Sequence, residues 1–595
     1  MDLANWVNEL RRRRVFRALL AWGVIAFAVL QVVEPVQHAL HLPDGLLSVV
    51  VWVLGLGFPV VAALAWVFDI GPGGVTRTSP PADMHLSRGR SAFVVVALGL
   101  LAAAPGIVYH FVWPGTARLR ASAQRPDGPA GGEAEGAAQA SIAVLPFTDM
   151  SAARDQEYMG DGLAEEILNL LAQVDGLKVA GRTSSFSFKG RSARLEEIGQ
   201  ELRVAHVLEG SVRRAGQHIR VTAQLVKASD GFHVWSQDFD RNLSDVLALQ
   251  DEIARAVVSA IAPRLTGKPR AEHGPAPSPE AYAAYLEGLH GLGVLDEQST
   301  RKAQESLERA VDLAPRFAPA HAALARVYGQ QAGYFVDTPM DVTRYANLER
   351  AAADRAVALD PDLGEAYAAR SRNATQYAWE WDRALQDSAR AVDLSPGSAE
   401  AHSARGLALV SVGRIREGLP ELRRAATADP LNPTAWQDVG TYSLSSGDLA
   451  GAREALAQLE RIAPDSNRAH WLRANVRFAE GRFDEALADY RALTLEFARL
   501  TGVAICEHEL GHDAASRAAL AEIESRLAGS AAWQAAQVHA WRGEADLAFE
   551  WMERARVQHD TGAATVITDR HLGRIRGDAR YKAFLRRMGL PEQGE

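Results

Sequence analysis

His508 and His512 stand four residues apart, close to Cys506, the one cysteine of the sequence. Two imidazoles at i, i+4 on one helix face, with a thiol nearby, could hold a transition metal. Gly511 falls between the histidines and points to a helix end there, so no metal is expected. His38 and His41 sit in a short loop after an apolar run and read as interfacial side chains. GPGG at 71–74 lacks the strand-to-helix context of a phosphate loop and reads as a turn. No G-x-S-x-G, H-E-x-x-H or Walker pattern occurs. Asp161, Glu165 and Glu166 open an expected helix, where acidic groups complement the helix dipole. No catalytic residue, cofactor or metal is expected.

What remains is suited to binding. Asn373, Gln376, Gln437, Thr441, Arg468, Trp471 and Asn475 fall on one helix face when the C-terminal repeats are aligned on their prolines. Amides, an arginine and a tryptophan on a concave face could hold an extended peptide or a partner helix. The elements that must position them are visible as a period. Pro361, Pro396, Pro430 and Pro464 recur at steps of 35, 34 and 34, after a longer step of 46 from Pro315. An insertion over Phe335–Arg344 accounts for that longer step. Gly406, Gly440 and Ala474 keep a spacing of 34, as do Gly413, Gly447 and Gly481, and Gly418, Ala452 and Ala486. The first and third sets fit close helix crossings, and the middle set fits left-handed helix ends. This is the signature of a tetratricopeptide (TPR) solenoid of about eight helix pairs. Trp379 and Trp381 read as packing between repeats. The tail 567–592 reads as a polar terminal helix that caps the stack.

Ahead of the array, 141–265 changes period. SIAVLPF (141–147) reads as a strand, 161–174 as a helix, 177–180 as a strand and 195–202 as a helix. Three strands follow at 205–214, 218–227 and 232–240, then an amphipathic helix at 246–261. The order implies a two-layer α/β unit. The phrases SIAVLPFTDMS, EYMGDGLAEEILNLLAQVDGLKVAGRTSSFSFKG and VLEGSVRRAGQHIRVTAQLVKASDGFHVWSQDFDRN resemble the TolB amino-terminal-like (FlgO-like) module that precedes TPRs in bacterial proteins. Those proteins are often labelled adenylate cyclases or transcriptional regulators. The resemblance implies a non-catalytic module and carries over no catalytic residue. Relatives of that kind bear a cyclase or winged-helix domain in front, for which 1–140 has no room.

That front region holds three long apolar runs: Val15–Val33, Leu46–Phe68 and Ala92–Trp113. Each is long enough for a ~30 Å hydrocarbon layer, and GFPVVAALAWVFDIGPGGVTR (57–77) is similar to the membrane head of some relatives. Arginines before the first run and after the second imply a cytoplasmic N-terminus. Three spans then place the remainder in the periplasm of a bacterium. The expected fold class is thus multi-domain: three transmembrane helices, a two-layer α/β domain and an all-α TPR solenoid. The expected boundaries are a basic N-terminus at 1–14, an anchor at 15–113, a linker at 114–140, the α/β domain at 141–265, a linker at 266–278 and the solenoid at 279–595. A net charge of −9 argues against nucleic acid as a partner. The functional expectation is a membrane-anchored, non-catalytic scaffold at the cell envelope, inserted in the inner membrane and binding a protein or peptide. The competing expectation is a transmembrane signalling regulator.

Overall fold

The computed structural model describes the backbone of 68–71 and 74–77, and residues 140–592 apart from 153, 217, 262–276, 294–295 and 336–337. Two compact units divide the chain, Met1–Ala130 and Gly131–Glu595.

In the first unit, β1 (Phe68–Gly71) pairs antiparallel with β2 (Gly74–Arg77), Phe68 opposite Arg77 and Gly71 opposite Gly74. This corrects the expected anchor. Phe68, the expected end of the second span, begins a strand whose backbone partners lie across a tight hairpin. Among the described residues no helix is long and apolar enough to cross a membrane. The expected spans at 15–33 and 92–113, and 46–67 of the second, lie outside the described residues. Three transmembrane helices, and the multi-pass inner-membrane location that rested on them, are not supported.

The second unit begins with a sheet. β3 (Ser141–Val144) lies between two parallel neighbours, β5 (Lys178–Val179) and β6 (His206–Ala215). The short β4 (Thr148–Asp149) continues alongside β6. An antiparallel meander of β6, β7 (His218–Lys227) and β8 (His233–Asn242) completes it. Strict alternation builds the meander: Ile219, Val221, Ala223 and Leu225 are fully buried, while Arg220, Thr222 and Gln224 face the other way.

Helices cover both faces. Ile142 and Val144 join a core with α1 (Glu157–Ala172) and α4 (Val246–Ile261). Ala143, between them in sequence, points to the opposite side. There it meets Ile198 and Leu202 of α3 (Leu195–Leu202), with Phe188 just beyond the short α2 (Arg182–Phe186). The expected two layers are therefore three at this end of the sheet.

Eight helix pairs follow: α5 (Pro279–Leu292) with α6 (Glu297–Leu313), α7 (Ala318–Gln330) with α8 (Pro339–Leu359), α9 (Gly364–Asn373) with α10 (Trp381–Leu394), and α11 (Ala399–Ser411) with α12 (Ile415–Ala428). The last four are α13 (Pro433–Ser445) with α14 (Leu449–Ile462), α15 (Asn467–Ala479) with α16 (Phe483–Arg491), α17 (Glu496–Glu509) with α18 (Asp513–Arg526), and α19 (Ala532–Arg542) with α20 (Ala545–Val557). The long step of the repeat comes from α8, which runs 21 residues. Gly413, Gly447 and Gly481 take φ of +88°, +82° and +76° at the turns, the left-handed region their spacing implied. A Cβ at Gly440 would lie 2.5 Å from Leu472 of the next pair, whereas one at Gly447 would meet nothing within 4 Å. Gly440→Val is accordingly expected to destabilise by about 1–3 kcal/mol through overpacking. Gly447→Ala is expected to cost about 1–2 kcal/mol through backbone strain alone. Denaturant melts of the two variants check this.

Two features were not foreseen. First, the α/β module and the opening repeats share one core: α1 and α4 pack in the same apolar cluster as Tyr282, Tyr285, Leu286, Leu307 and Phe317. The expected linker before the solenoid does not separate two independent bodies. Secondly, the terminal helix is amphipathic. Tyr581, Phe584 and Leu585 of α21 (Ala579–Arg587), with Met588 and Leu590, are buried in a cluster that also takes in Trp381 of the third pair. Trp381 Nε1 donates to the carbonyl of Met588 at 2.6 Å, and Trp379 stacks on His559 with ring centroids 4.8 Å apart. The superhelix is thus tied to its own end.

Candidate binding face of the solenoid

The first helix of each pair supplies the inner face of such a stack. Along it the seven candidate residues meet different fates. Asn373, at the end of α9, is 2% exposed, and its amide donates to Ala346 O at 2.8 Å and Glu349 Oε2 at 3.1 Å. Asn475 on α15 is equally buried, and its Oδ1 accepts from Arg570 Nη2 at 2.6 Å. These two side chains hold the fold. Gln376 is exposed in the π-helical turn Ala374–Ala378. Thr441 Oγ1 bonds back to Gln437 O at 2.8 Å.

Gln437 and Arg468 come together from neighbouring pairs through a direct hydrogen bond. Tyr334, from the second pair, crosses the inner face to join them: its hydroxyl is 3.4 Å from Arg468 Nη2 and its ring lies 5.9 Å below the guanidinium. Trp471 is half-buried one turn along, touching the apolar clusters on both sides. Asp438, beside Gln437, has its carboxyl pushed up to about 7 by burial, against the opposing pull of Arg468. Tyr334, half exposed, and Asp438 escaped the repeat alignment. Tyr334 lies just before the inserted stretch, and Asp438 is one step from a selected position.

The rest of the inner face near the α/β module carries buried charges. Glu165 of α1 is 2% exposed and accepts from Arg182 Nε at 2.6 Å and from Arg326 Nη1 of α7 at 3.1 Å. Arg326 also lies 3.7 Å from Glu400 of α11, which pairs with Arg372 Nη1 at 3.3 Å. Arg372 continues to Glu349, fully buried, at 2.9 Å. Glu166 accepts from Tyr285 at 2.6 Å. Asp161 Oδ2 lies 2.6 Å from Lys189 Nζ and 2.7 Å from His290 Nδ1. Burial opposes ionisation of Asp161, yet the bonds from His290 and Lys189 hold its carboxyl below the usual range. Further along, Ser184 donates through both N–H and Oγ to Asp429 Oδ1, at 2.8 and 2.6 Å, and Gly181 N–H donates to Ala428 O at 2.7 Å. The module is therefore strapped along the first helix pairs, as far as Arg461 of the fifth, which lies 3.6 Å from Glu201 of α3. Asp161, Glu165 and Glu166 are junction residues rather than helix-dipole partners at a helix start.

Among the described residues no cluster of His, Cys, Asp and Glu could hold a metal. His512 Nδ1 is instead 2.7 Å from Glu507, and burial raises the Cys506 thiol to about 12, where it is inert.

The fold and its junction define a TPR solenoid fused to a small α/β domain, and comparison with known proteins agrees. The TPR family matches residues 403–467 and 438–498. The second domain of HilA/YgeH-like transcriptional regulators matches 138–256; the match carries that name rather than the TolB or FlgO name. The chain thus carries TPRs and a HilA-like regulator domain. Among curated proteins it is similar to "Putative adenylate cyclase 3" of Rhizobium meliloti (strain 1021), 40% identical over 190 residues, which is 32% of each chain. It is also similar to Protein FlbA of Caulobacter vibrioides, 32% identical over 97 residues, 16% of each chain. The chain spans about a third or less of the length of these relatives. Similar solved structures include a thermophilic TPR protein from Thermus thermophilus (21% identity, TM-score 0.27, 34% of this chain and 98% of that one). Yeast Tom70 is another (16% identity, TM-score 0.32, 58% and 82%).

Proposed function

We propose that this chain is a non-catalytic, protein-binding scaffold of a regulatory kind. Its receptive surface is the inner-face patch of Tyr334, Gln437, Arg468 and Trp471, with Gln376 exposed in the third pair. The carrying observation is the Tyr334–Arg468–Gln437 group. These side chains from the second, fifth and sixth pairs meet while still partly exposed. A guanidinium over a phenol ring beside a half-buried indole suits an extended peptide with acidic and apolar side chains.

A second reading, a regulator that acts through the α/β module, is favoured by the HilA-like match across that module and by its fusion to the first repeats. The likeness of its phrases to TolB amino-terminal-like modules supports the same non-catalytic role.

The test uses the full chain, because the modules share a core. Partners recovered by affinity capture are compared between the wild type and an Arg468→Ala/Trp471→Ala variant of unchanged melting temperature. Loss of about tenfold or more in recovery is expected, as for removal of two anchor side chains. Equal recovery of every partner would remove this patch as the binding surface.

A further inference from the structure

The sheet of the α/β module changes winding direction at β3. From β3 the chain passes through α1 to β5 on one side, then through α3 to β6 on the other, giving the order β5-β3-β6. The two connecting helices lie on opposite faces, as the alternation of Ile142 and Val144 against Ala143 shows. In open α/β sheets such a reversal leaves a crevice outside the carboxyl ends of the parallel strands, because the loops there turn away in opposite directions. A cleft of about 720 Å³ lies beyond the carboxyl end of β3, where β6 runs on past it. Its walls are the loop after β3, the loop after α2 and the middle of β6 and β7. The volume suits a small organic ligand.

The side chains of the cleft divide into those held by strong partners and those that are not. Asp149 accepts from the N–H groups of Ser151 and Gln156, both at 2.8 Å. Lys189 is shared between Glu157 at 2.7 Å and Asp161 at 2.6 Å. Thr222 donates to Asp238 at 2.7 Å. Arg154 and Arg191, both exposed, carry no ion pair among the described residues, and Arg154 is held with φ +52° at the cleft rim. Arg191 makes a long bond to Ser187 O, at 3.5 Å, and its guanidinium lies 5.8 Å from the centre of the Phe188 ring. On the floor, Glu209 and Gln224 are register partners on β6 and β7. Neither side chain is hydrogen-bonded among the described residues, and Phe188 closes one wall. The groups left to receive a ligand are therefore two guanidiniums at the rim and a carboxylate beside an amide on the floor. Guanidiniums favour phosphate, and a carboxylate beside an amide favours hydroxyl donors.

We propose that this cleft binds a phosphorylated, hydroxyl-bearing metabolite, with its phosphate at Arg154 and Arg191 and its hydroxyls on Glu209 and Gln224. The proposal is independent of the solenoid patch. A sugar phosphate and a nucleoside monophosphate share this chemistry, so the test takes both. Titration calorimetry on the full chain with glucose 6-phosphate, AMP and inorganic phosphate is expected to show saturable binding of at least one organic phosphate below about 1 mM. Arg191→Ala and Glu209→Ala should each weaken that binding about tenfold. Glu209→Gln, which keeps an acceptor, should weaken it less. Inorganic phosphate should bind more weakly and ignore the change at Glu209. Arg191 is exposed and Glu209 half-exposed, so melting temperatures should hold in all variants. The proposal is overturned if neither organic phosphate binds, or if inorganic phosphate binds as tightly as both. Binding that is indifferent to Glu209→Ala would also overturn it, since that would reduce the cleft to an unspecific anion rim.

Discussion

Replacing Arg372 with methionine is expected to destabilise the protein by about 3–5 kcal/mol, the range for breaking a buried ion pair from one side. The carboxylate left behind is Glu349, whose side chain is 0% exposed. Glu349 Oε1 accepts from Arg372 Nη2 at 2.9 Å and Nε at 3.3 Å, and Oε2 accepts from Asn373 Nδ2 at 3.1 Å. Burial already pushes the Glu349 carboxyl upward, and Arg372 is the main group opposing that. Without the guanidinium, Glu349 must take up a proton or draw in water, and Glu400 loses a partner at 3.3 Å. A second change, Glu349→Gln, should restore much of the loss, because the amide needs no counter-charge and its oxygen can still accept from Asn373. Urea melts of the wild type, both single variants and the double variant give the coupling. A loss below about 1 kcal/mol for Arg372→Met would mean that solvent reaches Glu349 and that the pair is no better than a surface one.

The same cluster shows where reading the sequence stops. The repeat was legible because each 34-residue unit must place small residues at the same crossings and a glycine at the same turn. Gly406 and Gly440 do sit where a Cβ would lie 2.6 and 2.5 Å from Leu422 and Leu472. The α3 and α4 boundaries and the β7 bounds were equally legible, since capping and alternation are local. Asn373 and Asn475 lay on the expected face, but periodicity says nothing of what else reaches that face. Arg570, the partner of Asn475, arrives from 95 positions away. The helix expected at 161–174 begins earlier, at Glu157, so that Gly160 lies inside it. The structure needs a glycine there, since a Cβ would lie 2.2 Å from Phe147 O where the loop after β3 crosses the helix. With the helix starting at Glu157, Glu165 and Glu166 fall in its middle, where Arg182 of α2 and Arg326 and Tyr285 of the solenoid satisfy them. The tail reads as polar because charged residues are scattered along it, yet Tyr581, Phe584 and Leu585 recur at helical spacing and are the ones that pack.

Stability is expected to fall as pH rises from weakly acid to alkaline. Glu166 is the principal cause: burial, then the nearby Glu365 and Glu165, push its carboxyl from 4.5 to about 8, and the hydrogen bond from Tyr285 and the charge of Arg326 only partly offset this. Glu365 is raised to about 7, first by burial, with Glu400 and Glu165 adding to it and Arg326 opposing. The groups facing this point are Glu165 from α1, Tyr282 and Tyr285 from α5, Arg326 from α7, Glu365 from α9 and Glu400 from α11. A carboxyl whose folded pKa stands above its unfolded one keeps its proton in the fold and loses it on unfolding. Unfolding therefore releases protons between about 4.5 and 8, and stability drops through that window. The contribution is whole below 4.5 and gone above 8, at about 1.4 kcal/mol for each unit separating the two pKa values. Glu166→Gln removes the ionisable group and leaves an oxygen for the Tyr285 hydroxyl. The variant should match the wild type near pH 5, be the more stable of the two near pH 9, and show a flatter profile between them. Thermal melts across that range decide it. Parallel profiles would mean that the junction between α1 and the first repeats opens to water before Glu166 ionises.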